Sequence, residues 1–384
     1  MNKLIALGIC LLGGSLALAD GAMAQVRLGI GAPITGGSAA FGAQIRQGAE
    51  QAAEDINAAG GILGQKIIVS VGDDRADPKD GVSVANKLAG DGVKFVVGHF
   101  NSGVSMAASQ VYRENGMLEI TPASTNPQVT ERDMWNVFRL CGRDDQQGGI
   151  AAAIIADKFQ GKRIAFVHDK TTYGQGLAEE TRKALNAKGM KETLFEGVNK
   201  DDKDFTALVS KLKSVNPDLV YWGGLHDTGG LILRQMRAQG LNAPLMGGDG
   251  ITDDEFASIA GPGAEGTLMT FSPDPRTNPK NKAIVELFRS KRGFEPQAYT
   301  LYSYAAVQII KQAAEQAKSL DPRKVADAMH SGQAFETVLG DVSFDKKGDV
   351  SNEGYVVGGK KKDRYVLYLW KKSADGRITY VESE

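Results

Sequence analysis

The chain has 384 residues, and its 45 Lys and Arg nearly balance its 46 Asp and Glu, which leaves a formal net charge of −1. This balance excludes the strongly basic surface that binds nucleic acid or anionic membranes. With 42% hydrophobic residues, the chain is long enough for two domains of ordinary size.

The N-terminus, residues 1–24, predicts a signal peptide. Lys3 supplies the positive start, Leu4–Leu18 is an apolar run, and Ala22 and Ala24 are the small residues of a cleavage site before Gln25. The run is shorter than the roughly 20 residues that span a membrane. We therefore expect a soluble, exported protein with no direct membrane insertion and no nucleic-acid partner.

From Gln25 to about residue 250, short apolar runs alternate with helical patterns, which is typical of βαβ units and a parallel sheet. Between the first two runs, apolar residues from Ile45 to Ile56 share one helical face, and Gly60-Gly61 closes the helix. The predicted strands are Val26–Gly31, Ile67–Val71, Phe95–Gly98, Leu118–Thr121, Arg163–His168, Leu219–Trp222 and Leu245–Gly247.

The alternation pauses twice, which predicts a two-lobe α/β protein. The first pause is the polar segment Leu140–Gly149, followed by a helix Ile150–Phe159, and the second is the proline-rich Ser272–Pro279. Helices are expected at Ala283–Arg292 and Ala298–Ala317. We assign residues 25–143 plus about 273–355 to the N-terminal lobe, and 144–272 plus about 356–384 to the C-terminal lobe. Each lobe is a mostly parallel sheet flanked by helices, and several crossovers form a hinge.

Two of the predicted strands run into loops of small hydroxyl residues, which contain Ser102 and Thr125. Ligands of parallel sheets bind beyond the carboxyl ends of the strands, where helix N-termini favour negative charge. Ser102 and Thr125 are thus predicted to hold an anion, most simply a carboxylate. Two further strand ends carry Tyr173 and Asp249, although Asp249 after glycine is also typical of a turn or helix cap.

Enzyme and cofactor motifs are incomplete. Gly31–Ser38 has most of the spacing of a phosphate-binding loop, but Gly37 stands where the lysine is needed. The four histidines lack metal-ligand spacing, and Phe100 breaks the frame of a nucleophile elbow around Ser102. We therefore expect no enzyme activity, no metal and no cofactor.

Two other features are interpreted as structural. The acid pairs Asp73-Asp74, Asp201-Asp202 and Asp253-Asp254 are typical of solvated turns and caps. Cys141 is the only cysteine after the signal peptide, which excludes an internal disulfide, and it is expected to be a small buried apolar side chain.

An ordered series of motifs over more than three hundred residues resembles the leucine/isoleucine/valine-binding family, the type I periplasmic receptors of ABC importers. The matching stretches are Gly48–Ala52, Asp55–Ile62, Asp73-Asp74, Asp77–Lys79, Gly98-His99, Ile120–Ala123, Val167–Lys170, Tyr173-Gly174, Lys203–Phe205 and Phe344–Asp349. The resemblance implies a two-lobe receptor that closes on an amino acid and delivers it to a membrane permease. We expect a monomer.

The resemblance also implies roles for individual residues. Ser102, Ala123 and Thr125 match the positions that hold the ligand α-carboxylate. Tyr173 matches a tyrosine that closes from the second lobe, and Asp249 matches the acid that holds the α-ammonium. An anion-binding site on one lobe and an acid on the other match the carboxylate and the ammonium of a zwitterion. Each such charged contact contributes about 1.5–3 kcal/mol.

Several positions depart from the family pattern. The characteristic disulfide would join the positions of Ala76 and Asn101, so it is absent and packing and hydrogen bonds must hold the Asn101 loop. Phe41 and Leu225 replace tyrosines. Asp249 is one methylene shorter than the usual glutamate.

The ligand-size determinants also differ. Phe100 stands where branched-chain specialists have smaller aliphatic residues, and Tyr299 is expected to border the same pocket. The leading hypothesis is a receptor for an aliphatic amino acid, branched-chain or smaller, including ω-amino acids. The alternatives are a receptor for an amide, a urea-like compound or an aromatic carboxylate, a sensory module, and a hydrolase built on the same cleft.

Overall fold

A computed structural model describes residues 25–351, 355–357, 360–362 and 364–383. The predicted signal peptide, residues 1–24, lies outside the described residues. None of the helices formed by the described residues combines the length and the hydrophobicity that crossing a membrane requires.

Helices and strands alternate through most of the described chain, as the sequence predicts. The strands are β1 (Gln25–Ala32), β2 (Lys66–Asp73), β3 (Phe95–Gly98), β4 (Leu118–Thr121), β5 (Val137–Arg139), β6 (Ile164–His168), β7 (Leu194–Gly197), β8 (Leu219–Gly223), β9 (Leu245–Gly247), β10 (Leu268–Phe271), β11 (Phe335–Thr337), β12 (Gly340–Val342), β13 (Tyr355–Val357), β14 (Lys360–Lys362), β15 (Val366–Lys372) and β16 (Ile378–Glu382). The helices are α1 (Ala39–Ala58), α2 (Pro78–Gly90), α3 (Ser102–Glu114), α4 (Asp144–Lys158), α5 (Thr172–Ala187), α6 (Thr206–Val215), α7 (His226–Ala238), α8 (Glu255–Ala260), α9 (Lys282–Leu287), α10 (Ala298–Ala317) and α11 (Pro322–Met329).

The first sheet has the order β2-β1-β3-β4-β5 and is parallel throughout. Its inner strands β3 and β4 are buried along their whole length, as expected of a parallel sheet with both faces covered. The seven predicted strands are all present, with ends shifted by no more than two residues. Three further strands of the two sheets, β5, β7 and β10, were not predicted from the sequence.

The second sheet has the order β16-β15-β10-β9-β8-β6-β7. Strands β6 to β10 are parallel, whereas β15 runs antiparallel to β10 and β16 antiparallel to β15. The C-terminal strands therefore return to the sheet formed by residues 164–271, after the chain has packed α10 against α1. At that contact Gly48 allows close approach, because a Cβ there would lie 2.0 Å from the carbonyl oxygen of Thr300.

Helix α4 corrects the prediction for residues 140–149. The helix begins at Asp144 rather than at Ile150, so most of the expected polar pause is helical. The two glycines that suggested a break lie inside the helix, and a Cβ on Gly148 would come within 2.8 Å of the backbone nitrogen of Thr181. Gly148 thus serves the packing of α4 against α5 and does not end a helix.

The acid pairs need a second correction. Asp74 is fully buried and bonds His99 Nδ1 at 2.6 Å, and Asp253 is only 3% exposed, so neither belongs to a solvated turn. Asp73 ends β2, and its carboxylate accepts from the N–H groups of Ile34 and Thr35. The negatively charged Asp73 carboxylate therefore takes up backbone N–H groups of the Gly31–Ser38 loop, which disfavours the binding of a phosphate there.

Candidate functional site

The predicted carboxylate clamp lies at the carboxyl ends of β3 and β4. Asn101 is the N-cap of α3 and Ser102 is its first residue, which is 1% exposed. The Ser102 hydroxyl accepts from the backbone N–H of Asn126 at 3.2 Å, which ties the two loops together. The hydroxyl of Thr125 is buried without a hydrogen bond of good geometry among the described residues, and it lies close enough to the Asp144 carboxyl group to lower the pKa of that group.

Thr121 organises the loop that carries Ala123. Its hydroxyl donates to the His99 carbonyl at 2.8 Å and accepts from the N–H groups of Ala123 and Ser124 at 3.2 and 2.9 Å. Ser124 in turn donates to the carbonyl of Phe100 at 3.0 Å. Hydrogen bonds, rather than a disulfide, therefore connect the Asn101 loop to its neighbour.

Arg139 stabilises the same loop through hydrogen bonds to its backbone. Its role was not predicted from the sequence. Its buried guanidinium donates to the carbonyl oxygens of Ser124 and Asn126 at 3.2 and 2.7 Å, and it pairs with Asp349 at 2.6 Å. Burial alone would raise the pKa of Asp349, but Arg139 and Arg143 outweigh it and hold that pKa below its ordinary value.

Asp249 joins two tyrosines from distant parts of the chain. Tyr173 donates to Asp249 Oδ1 at 2.9 Å, and Tyr299 donates to Asp249 Oδ2 at 2.5 Å. The N–H of Gly250 completes this group by donating to the Tyr173 hydroxyl at 2.9 Å. Burial raises the pKa of Asp249, and the two tyrosine hydroxyls oppose that rise. The carboxylate thus serves these long-range contacts, although Asp249 also begins a 3-10 turn.

Local hydrogen bonds position Tyr173 at the second residue of α5. Thr171 is the N-cap, and its hydroxyl accepts from the N–H of Gly174 at 2.9 Å. Asp169 Oδ1 accepts from the N–H of Thr171 at 2.9 Å and so fixes the cap. The hydrogen bonds of its own loop therefore position Tyr173 for its contact with Asp249.

A second carboxyl group, that of Asp144, lies near Asp249. It was not predicted as a site residue because residues 140–149 were assigned to a polar segment between the lobes. Asp144 is fully buried, and neither of its side-chain oxygens has a hydrogen-bond partner among the described residues. Burial and the charge of Asp249 raise the pKa of Asp144 well above its ordinary value, and the neighbouring Thr125 hydroxyl and the charge of Arg139 only partly oppose that rise. The N–H of Asp144 donates to the carbonyl of Thr125 at 2.9 Å, so the acidic pair adjoins the carboxylate clamp.

Three aromatic side chains, here called the aromatic wall, pack together beside Asp249: Phe41, Phe100 and Tyr299. Phe41 and Phe100 stack with ring centroids 4.3 Å apart, and Tyr299 meets their rings edge-on at 5.8 and 5.5 Å. The structure therefore brings together Phe100 and Tyr299, the two residues expected to border one pocket, and places Phe41 beside them. Leu225, which like Phe41 stands in place of a family tyrosine, is the buried N-cap of α7.

The remaining predicted features are structural. Cys141 is free and buried, as predicted, and burial raises the pKa of its thiol far above the ordinary value. Ala76 lies in the left-handed region with φ 59°, and the buried side-chain amide oxygen of Asn101 has no hydrogen-bond partner among the described residues.

One group of side chains has the composition of a metal site. Ligand atoms of His226, Asp253 and Glu255 lie within 4.8 Å of one another. Protein donors already engage them: Asp253 accepts from Gln44 and from the N–H of Glu255, and His226 pairs with Glu255 at 3.1 Å. We interpret the group as a hydrogen-bonded cluster.

The family with the description "Periplasmic binding protein" matches residues 25–364 of this chain. The chain belongs to this family. It is similar to the Leu/Ile/Val-binding protein homolog 1 of Brucella melitensis, with 57% identity over 382 residues and full coverage of both chains. It is also 49% identical to the amino acid binding protein of Pseudomonas aeruginosa, covering 93% of this chain and 96% of the relative.

Solved structures agree with this assignment. The leucine-binding protein LivK of Thermotoga maritima superposes with a TM-score of 0.81 at 28% identity, covering 93% of this chain and 97% of that one. LivJ of Streptococcus pneumoniae, solved with isoleucine, gives a TM-score of 0.81 at 26% identity, covering 94% and 100%. The predicted fold class and family are confirmed. The protein is a periplasmic substrate-binding receptor and not an enzyme.

Proposed function

We propose that this receptor binds an aliphatic amino acid, branched-chain or smaller and including ω-amino acids, and delivers it to the permease of an ABC importer. The supporting observation is that a buried hydroxyl and two acids adjoin one another. The Thr125 hydroxyl lies beside the Asp144 carboxyl group, Asp144 donates its N–H to the Thr125 carbonyl, and the nearby charge of Asp249 raises the pKa of Asp144. A zwitterion matches this pairing of an anion clamp with acids.

The acids argue for a cationic group on the ligand. A buried carboxylate without a counter-ion is costly, and an ammonium would supply the counter-ion of Asp249, the acid that both tyrosines orient. An amide, a urea-like compound or an aromatic carboxylate would leave that charge uncompensated. The names of the relatives, which refer to leucine, isoleucine, valine or amino acids in general, support the same ligand class.

Ligand size is proposed to follow from the aromatic wall. The stacked rings of Phe41 and Phe100 and the edge of Tyr299 fill space that an aliphatic side chain would otherwise enter. A short or unbranched chain, as in alanine, proline or γ-aminobutyrate, fits this wall better than leucine does.

Closure of the lobes is proposed as the event that the permease recognises. The ligand first occupies Ser102 and Thr125 in the N-terminal lobe, and Tyr173 and Asp249 then close from the second. Only contacts made in the closed form shift the population toward it. We propose that the N-terminal lobe consists of residues 25–143 plus about 273–355, and the C-terminal lobe of residues 144–272 plus about 356–384. We also propose that residues 1–24 are removed on export and that the mature protein is a monomer.

A thermal-shift panel of leucine, valine, alanine, proline and γ-aminobutyrate tests the proposal, with benzoate and acetamide as ligands that lack a cation. A ligand at 100 times its Kd adds about 2.7 kcal/mol of stability. We expect amino acids to raise the Tm and the two cation-free compounds to leave it unchanged. A rise with benzoate or acetamide alone overturns the amino-acid assignment.

A further inference from the structure

Gln44 joins a helix of the first sheet, α1, to residues that follow β9 in the second sheet. It lies on α1, is 4% exposed, and its carboxamide is used at both ends. Nε2 donates to Asp253 Oδ2 at 2.8 Å and to Gln297 Oε1 at 3.2 Å, while Oε1 accepts from the backbone N–H of Tyr299 at 3.0 Å. Gln44 therefore contacts both the segment after β9 and the start of α10.

Asp253 is held rigidly on its own side. Its Oδ1 accepts from the N–H of Glu255 at 2.9 Å, which leaves Oδ2 directed at Gln44. Nearby, His226 pairs with Glu255, and the ring of Phe41 meets His226 edge-on at 5.0 Å. Residues of α1 thus meet a preformed second-lobe surface through one charge-assisted hydrogen bond and one aromatic contact.

Gln44 also acts on the ammonium site through Tyr299. The same tyrosine whose N–H is held by Gln44 Oε1 places its hydroxyl 2.5 Å from Asp249 Oδ2. A shift of the start of α10 would move that hydroxyl. A buried hydrogen bond at the edge of the cleft and the candidate ligand acid are therefore connected through a single residue.

We propose that Gln44 is a positioning residue for amino-acid binding: it latches the closed form through Asp253 and sets Tyr299 against Asp249. The inference rests on the proposed function, because it concerns affinity for the same ligand. Gln44 is not among the residues predicted to contact the ligand, so affinity should depend on a side chain outside that set.

A polarity swap tests the latch. In Gln44→Glu a carboxylate faces Asp253, while an oxygen remains for the N–H of Tyr299. In the double variant Gln44→Glu with Asp253→Asn, the Nδ2 group of the introduced asparagine donates to the introduced carboxylate on α1, and its Oδ1 still accepts from Glu255. Gln47→Glu, at a half-buried position one turn later on α1, is the matched control. Calorimetry with the amino acid that gives the largest thermal shift measures Kd for the wild type and these three variants.

We expect Gln44→Glu to raise Kd roughly tenfold to a hundredfold, the range of a charged hydrogen bond. The double variant should return to within about fivefold of wild type, which a simple packing defect would not do. An unchanged Kd in Gln44→Glu, or a double variant that binds no better than Gln44→Glu alone, overturns the latch.

The latch also predicts a change that needs no ligand. Spin labels on introduced cysteines at the exposed positions Lys79 and Gln175 measure the distance between the two sides of the cleft. We expect Gln44→Glu to deplete the short-distance population and the double variant to restore it; equal distributions overturn the latch. If the wild type binds none of the amino acids, the proposed function is refuted. Failure of the latch and failure of the proposed function are therefore distinguishable.

Discussion

Tyr299 donates its hydroxyl to Asp249 at 2.5 Å, and this bond joins the start of α10 to the loop after β9. With Tyr173 on the other oxygen, each carboxylate oxygen of Asp249 has one neutral donor. A carboxylate accepts about four hydrogen bonds, so an ammonium can still bind. The two tyrosines therefore orient the acid and oppose the rise in its pKa that burial causes.

Asp249→Asn is expected to abolish amino-acid binding. The substitution keeps the size of the side chain but removes the charge that an ammonium needs, and the lost charged contact is worth about 1.5–3 kcal/mol before reorganisation. Titration calorimetry measures the effect. Asp254→Asn, at an exposed acid on the same loop, is the control and should bind as wild type does. Retained affinity in Asp249→Asn would contradict the ammonium assignment.

Tyr299→Phe is expected to weaken binding about tenfold or more, the effect of one hydrogen bond to a charged group, and to make it more sensitive to acid. Burial raises the pKa of Asp249, and the Tyr299 hydroxyl opposes that rise, so removing it raises the pKa further. The charged form that binds the ligand is then lost at a higher pH as the solution is acidified. Kd measured between about pH 5 and 8 should show its rise beginning at higher pH in the variant than in wild type. Parallel pH profiles would rule out this role.

Much of the fold followed from local patterns, and the exceptions have physical causes. Buried strands such as β3 and β4 are short apolar runs with clear ends, so they were predicted with the correct bounds. Strand β5 has only three residues and ends in Arg139, so it does not form an uninterrupted apolar run like that of β3. The start of α4 was predicted too late in the chain because Gly148 suggested a break, whereas it permits the approach of α5.

The site was predicted less completely than the fold. Ser102 and Thr125 follow from their place after two strands, and Asp249 became a ligand candidate only through the family resemblance. Asp144 and Gln44 carry no local signal. Their importance depends on contacts between residues far apart in sequence, such as Gln44 with Asp253. Single-sequence patterns do not contain that information.

Phe100→Leu is expected to shift selectivity toward larger side chains. Replacing the ring removes its stack on Phe41 and leaves space beside Tyr299. The ratio of Kd for γ-aminobutyrate to Kd for leucine, measured by calorimetry, should rise severalfold, at a cost of about 1 kcal/mol in stability. An unchanged ratio would mean that Phe100 does not limit ligand size.

Asp349→Asn is expected to destabilise the protein and to change its response to acid. The substitution leaves the guanidinium of Arg139 buried without its counter-ion, which typically costs about 3–5 kcal/mol. The folded-state pKa of Asp349 lies below its ordinary value of 3.8, so its contribution is complete well above that pH and is lost as pH falls through the lowered value. Chemical denaturation should therefore show the gap between wild type and Asp349→Asn at pH 7 narrowing below about pH 4. A constant gap across this pH range would show that Asp349 does not stabilise the fold through its charge.

A companion double variant, Arg139→Met with Asp349→Leu, separates the charge of this pair from its role beside the clamp. It should be more stable than Asp349→Asn in the same denaturation experiment, because neither charge remains buried alone. It should still bind amino acids only weakly, since Arg139 holds the carbonyls of Ser124 and Asn126 beside the clamp. Wild-type affinity in this double variant would show that the clamp keeps its geometry without the guanidinium, and that Arg139 serves only the stability of the fold.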